Sequence, residues 1–95
     1  MEYRELRKAL KVKLGAEESM ESDHIYYFKM FDGGSYRVGK VSHSARGQVE
    51  DFIIRDTAKR LRVVREELLE LVGCTLDSAN HERLWRLRPN WPERY

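Results

Sequence analysis

The run His24, Ile25, Tyr26, Tyr27, Phe28, Lys29, Met30 and Phe31, followed at once by Asp32, Gly33 and Gly34, restricts the fold of this chain more than any other segment. Eight residues rich in aromatic side chains, without proline or glycine, predict a strand. The Asp-Gly-Gly tripeptide tolerates positive φ and so permits a tight reversal, and residues 36–41 read as the returning strand. The chain is therefore expected to centre on an antiparallel hairpin over residues 24–41.

Register follows from which faces the side chains share. A three-residue loop pairs Met30 with Tyr36 and Phe28 with Val38, places Lys29 opposite Arg37 on the other surface, and sets Tyr27 over Gly39. That arrangement separates an apolar face from a basic one. A two-residue loop that pairs Met30 with Arg37 and Lys29 with Val38 mixes the two, so the first is preferred. It puts His24 opposite Ser42, at the end of the hairpin away from the turn.

Helical periodicity surrounds the hairpin. Tyr3, Leu6, Leu10 and Leu14 share one helical face, and Gly15 suits the position after the last turn, which predicts a helix over residues 2–14. Residues 16–23 are polar and read either as a loop or as a weak edge strand near 18–21. Residues 42–48 have loop composition. From Val49, the stripe Phe52, Ile53, Thr57 or Ala58, and Leu61 predicts a second helix. Val64, Leu68, Leu71 and Val72 form a further stripe, read as core, that ends at Gly73; residues 62–64 either break or continue the helix. Asp77 or Ser78 caps a last helix through about Leu87, and Pro89 and Pro92 end regular structure. This order predicts an α+β fold: a helix, an antiparallel sheet of two or three strands with the hairpin at its centre, then C-terminal helices packed on one sheet face.

A chain of 95 residues has room for one domain with one core. No apolar run approaches the roughly 20 residues of a membrane span, and the N-terminal residues lack the apolar segment of an export signal, so the expected location is cytoplasmic, with no membrane partner. The single cysteine, Cys74, is expected to be a small apolar residue in the core at a helix end. His81, between Asn80 and Glu82, is expected on the surface. Trp85 and Trp91, near Arg86, Arg88 and Arg94, either anchor the tail or mark a partner surface.

The net charge of +2 conceals segregation. Residues 1–15 hold five Lys/Arg against two Glu, residues 36–48 three against none, and residues 83–95 four against one, with acidic blocks between them. A fold that gathers the basic segments makes a nucleic-acid footprint; otherwise they are solvated faces.

Several residues in this order resemble the HicA family of toxin ribonucleases. In that family a Gly-Ser-(Asn/His)-His-aliphatic motif enters the strand before an Asp-Gly turn. Here the positions read Glu21, Ser22, Asp23, His24 and Ile25, then Asp32, Gly33 and Gly34. Many members carry one or two histidines in the loop before the last conserved helix; here that loop holds His43, followed by Arg46. The resemblance covers residues 2–62 and leaves 63–95 as a C-terminal helical extension. It implies an αβββα-like fold related to double-stranded-RNA-binding domains, cleavage of messenger RNA without a metal or other cofactor, and a cognate antitoxin protein as partner.

Cleavage by attack of a 2′-OH on the adjacent phosphate needs a base, an acid, and donors for the charge that builds on phosphorus. Histidine suits the first two because it titrates near neutrality. The resemblance selects His24. His43 follows the residue paired with His24, so both are expected on one rim as catalytic groups, with Arg46 or Lys40 as phosphate contacts. The basic hairpin face, Lys29, Arg37 and Tyr27, is an expected RNA platform or else plain surface. Glu21 stands where the family has glycine, which favours the alternative of a non-catalytic RNA-binding or protein-interaction module. A helix-turn-helix over residues 49–72 is a third reading, with Arg65 as the one basic residue of its second helix.

Overall fold

Asp32 and Gly33 both take left-handed backbone conformations, with φ of 49° and 83°. Two successive positive φ values make the type I′ turn whose twist matches that of the strands it joins. The chain therefore reverses over two residues, and Phe31 pairs directly with Gly34. In the computed structural model, which describes residues 1–89 and residue 91, this turn joins strand β2 (His24–Phe31) to strand β3 (Gly34–Ser42).

The two-residue turn corrects the expected register near the turn. Met30 pairs with Ser35, Lys29 with Tyr36 and Phe28 with Arg37, in place of the Met30–Tyr36, Lys29–Arg37 and Phe28–Val38 pairs. Farther out, Tyr27 pairs with Gly39 and His24 with Ser42, as expected. A β-bulge reconciles the two halves: Val38 lies between the partners of Phe28 and Tyr27 and has no partner of its own. The bulge rotates Val38 into the core, where it is fully buried, while Arg37 stays on the outer face.

Strand β1 (Glu17–Met20) pairs antiparallel with β2, from Glu17 opposite Phe28 to Met20 opposite Ile25, and the sheet order is β1-β2-β3. The polar segment before the hairpin is thus an edge strand. Helix α1 (Tyr3–Lys8) continues into a wider π-helical turn over Ala9–Lys13, and Tyr3, Leu6, Leu10 and Leu14 are all buried. Gly15 ends it with φ of 73°. Helix α2 (Asp51–Leu61) stops at Arg62, whose φ of 58° breaks the run before helix α3 (Arg65–Val72). Helix α4 (Ser78–Leu87) is capped by Asp77, whose Oδ1 accepts from the Asn80 N–H at 2.8 Å.

One core joins these parts. Ile25, Tyr27, Phe31 and Val41 of the sheet meet the α1 stripe, Ile54, Ala58 and Leu61 of α2, Leu68 and Leu71 of α3, and Trp85 of α4. The fold is α+β, with helices on one sheet face. Among the described residues no helix is long and apolar enough to cross a membrane.

Several expectations fail in informative ways. The α2 stripe is rotated: Ile54, Thr57, Ala58 and Leu61 are buried while Phe52 is 66% exposed. Both sets have helical spacing, and the direction of the core chose between them. Cys74 is exposed, with φ of 71° in the turn after α3, where Leu76 fills the core instead. Val64 is partly exposed at the start of the α3 stripe, while Leu68 and Leu71 are core. His81 is fully buried, because α4 lays this face against the end of α2 and the ring of Phe31. Trp85 anchors the tail: it stacks on Phe31 with ring centroids 4.0 Å apart and planes within 9°. Pro92 and Arg94 lie outside the described residues.

Candidate nucleic-acid interface

Strand alternation puts Ile25, Tyr27, Lys29 and Phe31 on the helix-covered face of β2, which leaves His24, Tyr26, Phe28 and Met30 on the other. None of these four is buried. Their neighbours across β3 are Ser42, Lys40, Arg37 and Ser35. Aromatic rings and cations therefore interleave on an open sheet surface. His24 and Tyr26 have ring centroids 6.2 Å apart, and Tyr26 and Phe28 6.4 Å. The Arg37 guanidinium lies 5.5 Å from the Tyr26 ring centre and the Lys40 ammonium 5.8 Å, distances at which a ring attracts a cation.

Helix α2 runs beside β3 with its N-terminal end near the 43–48 loop, and between them lies a groove of about 720 Å³. One wall is His24, Arg37, Lys40 and Ser42; the other is Phe52, Ile53, Asp56 and Arg60. Arg46, Glu50 and Tyr3 line its end. The Tyr3 hydroxyl donates to the Glu50 carboxylate, and burial, followed by that hydrogen bond, raises the Tyr3 phenol above its ordinary pKa. Arg60 is paired with Asp56 at 3.0 Å.

Among the described residues, three of the four Lys and Arg side chains that line the groove lack a carboxylate partner, as do Lys8, Lys13, Lys29, Arg62 and Arg83 elsewhere. Arg7 and Lys11 meet Glu18, Arg65 meets Asp51, Arg86 meets Asp32 and Arg88 meets Glu67. Arg37, Lys40, Arg46 and, farther along α2, Lys59 form no ion pair with a carboxylate among the described residues. A groove with unneutralised cations, bordered by a sheet face where two of them lie over the Tyr26 ring, suits a phosphodiester chain with accessible bases.

The structure brings together four of the residues singled out in the sequence, His24, Arg37, Lys40 and Arg46. It separates three others from them. His43 turns away: its Nε2 donates to the Glu21 carbonyl at 2.9 Å, and its backbone N–H donates to the Asp23 carbonyl at 3.2 Å. Ser42 shares the groove wall with His24, so the next residue points elsewhere, and His43 holds the β1–β2 turn rather than a shared catalytic rim. Tyr27 is fully buried, its hydroxyl accepting from Arg7 Nε at 3.1 Å and donating to Glu18 at 2.6 Å. Burial, ahead of the Glu18 hydrogen bond, pushes its pKa up to about 12, while Glu18 is held below the usual carboxylate range by the Tyr27 hydroxyl and then by Lys11. Lys29 also lies on the helix side and donates to the Leu14 carbonyl at 2.7 Å. The expected platform of Lys29, Arg37 and Tyr27 is thus replaced by Arg37, Lys40 and Tyr26, because β2 turns Ile25, Tyr27, Lys29 and Phe31 toward the helices and the bulge puts Arg37 and Lys40 together on the outer face.

Tyr26, Phe28, Lys59 and Arg60 were not anticipated. For Tyr26 the signal was present, since it lies two residues from His24 on the same side of the strand. Arg60 and Lys59 required knowing where α2 packs. Glu21, in the β1–β2 turn, donates its N–H to the His24 carbonyl at 2.9 Å and is not among the groove-lining residues. In α3, Arg65 pairs with Asp51, and Leu68 and Leu71 are in the core. Among the described residues no three His, Cys, Asp or Glu side chains gather as a metal site. Comparison with protein-family profiles, curated proteins and solved structures finds no match to this chain.

Proposed function

We propose that this protein binds single-stranded RNA along the groove between β3 and α2 and the outer sheet face that borders it. One observation carries the reading: Tyr26 lies within reach of two cations without carboxylate partners, Arg37 and Lys40, on an open sheet face. The ring offers a base a stacking surface and the cations meet the phosphates on either side. The HicA-like residues around His24 agree with RNA as the ligand. Fluorescence anisotropy with a labelled single-stranded RNA tests it. Binding that weakens steeply with salt, and weakens about tenfold in Lys40→Ala, is expected. Equal or tighter binding to duplex DNA overturns the reading.

A second reading, a HicA-type endoribonuclease restrained by an antitoxin protein, is favoured by the place of His24 in the same wall as Lys40 and Arg37. His24 would take the proton of the attacking 2′-OH as that oxygen bonds to phosphorus. The bond to the 5′ oxygen breaks, with the leaving oxygen protonated by water and the phosphorane charge met by Arg37 and Lys40. Products ending in 2′,3′-cyclic phosphate in the presence of EDTA, absent with a folded His24→Ala variant that still binds RNA, support it. RNA binding without cleavage by the wild type leaves the non-catalytic module.

A further inference from the structure

The groove does not end at Arg37. A second cavity of about 430 Å³ lies toward the hairpin turn, and Arg37, Asp56 and Arg60 line both. The three shared residues make the two cavities parts of one channel that follows β3 from Ser42 to Ser35, a length of about 23 Å at the rise of a strand. The far part adds Tyr36 from the strand and Lys59 from α2.

Tyr36 is held in a way that suits a fixed platform. Its ring meets Phe31 edge-on at 6.0 Å and Trp85 edge-on at 5.1 Å, and it keeps 41% of its surface exposed. Its support is itself clamped. The Arg62 guanidinium lies 3.7 Å from the Trp85 ring centre and Phe31 stacks on Trp85 at 4.0 Å, so the two occupy opposite faces of the indole. Arg62 is fixed in turn by donating to the Trp85 carbonyl at 3.1 Å. A ring immobilised before the ligand arrives loses little freedom when a base stacks on it. Lys59, without a carboxylate partner among the described residues, stands ready for a phosphate beside it.

We infer that Tyr36 and Lys59 form a second nucleotide subsite, so that the channel and the sheet face beside it take a single-stranded segment of about four nucleotides, with one base over Tyr26 on that outer face and another on Tyr36 in the second cavity. The inference rests on the RNA-binding reading above and specifies how much RNA that site engages. Tyr26 and Tyr36 belong to opposite faces of β3's pairing with β2, so the strand must cross the β3 edge at Arg37, the residue common to both cavities.

An NMR titration with oligouridylates of two, four and six nucleotides, which reads affinities down to the millimolar range, separates the possibilities. Affinity is expected to rise by at least tenfold from two to four nucleotides and to change less than threefold from four to six. Tyr36→Ala and Lys59→Ala should each lower four-nucleotide affinity about tenfold while leaving dinucleotide binding at Tyr26 unchanged, and Tyr36→Phe should retain wild-type affinity. Lys59→Ala, an exposed position on α2, covers the case in which Tyr36→Ala disturbs the Phe31–Trp85 packing. Binding independent of length, or loss below twofold in Lys59→Ala and in a folded Tyr36→Ala, overturns the second subsite and leaves RNA binding intact. Absence of binding at every length removes RNA binding itself and the subsite with it.

Discussion

The imidazole of His81 donates from Nε2 to the carbonyl of Leu61 at 2.8 Å, tying the middle of α4 to the end of α2. The carbonyl requires a proton on Nε2, so a neutral ring keeps none on Nδ1, and that buried nitrogen has no hydrogen-bond partner. Lys29 from β2 and Arg88 beyond α4 face the ring as like charges and Glu67 from α3 as an opposite one. The site accommodates the neutral form.

Burial foremost lowers the His81 pKa below 6.5, with Lys29 and Arg88 acting in the same direction against the Leu61 hydrogen bond and Glu67. The unfolded chain therefore binds the proton first. Stability contributed by neutral His81 is complete above pH 6.5 and falls as the pH drops from there through the folded pKa. The melting temperature should fall between pH 7.5 and 5. A His81→Gln variant, which keeps a donor for Leu61 but does not titrate, should lose much of that slope. An equal slope in the variant assigns it to other groups. Glu67 and Glu18, both lowered, act at more acid pH, below the carboxylate value of 4.5.

Gly39 is required by a close approach rather than by its dihedral angles. A Cβ there would stand 2.7 Å from Cδ1 of Leu10, which is fully buried. Leu10 cannot swing away in a filled core, so Gly39→Ala should cost about 1–3 kcal/mol in urea unfolding. Adding Leu10→Val should recover part of the loss, and a double-mutant cycle reads the coupling. Additive costs would show that the two positions do not collide.

Arg88 binds Glu67 with two parallel hydrogen bonds, 2.7 and 2.9 Å, and also donates to the Arg62 carbonyl at 2.8 Å. Glu67 in turn accepts from the N–H of Val64 at the start of α3. A lysine cannot supply this planar fork. Arg88→Lys should therefore destabilise nearly as much as Arg88→Ala, by about 1–3 kcal/mol. Wild-type stability in the lysine variant would reduce the pair to simple charge attraction.

Stacking on the sheet face and phosphate contact in the groove have different signatures. Tyr26→Ala should lower RNA affinity about tenfold at every salt concentration, since a base loses its aromatic partner, and Tyr26→Phe should restore it. Lys40→Ala should reduce the slope of log affinity against log salt by about one. Identical salt slopes in wild type and Lys40→Ala would place Lys40 away from the phosphates.

What was legible in the sequence is local. The eight-residue strand, the positive-φ turn after it and the α1 stripe depend on each residue's own conformational preferences and near neighbours, whereas the choice of edge strand over loop before His24 and of Asp77 over Ser78 as the α4 cap came from the tertiary structure. His24, Arg37, Lys40 and Arg46 were found because charge and motif mark them wherever they lie. The register near the turn was not legible, since it required choosing between a three-residue loop and a two-residue turn followed by a bulge. Both satisfy the turn residues, and burial of Val38 decides for the second.

The sequence by itself determined that this chain would build an antiparallel hairpin among helices, because strand alternation, turn chemistry and helical spacing are set within a few residues. Tertiary structure alone decided which faces mattered. It turned Tyr27 and Lys29 inward, buried His81, exposed Phe52 and Cys74, carried His43 to the β1–β2 turn and set Arg60 and Lys59 of α2 beside β3. Each of these outcomes depends on what an element packs against, and a residue's own preferences are nearly silent on that. The groove exists because α2 lies along β3, a relationship between segments that share no local sequence.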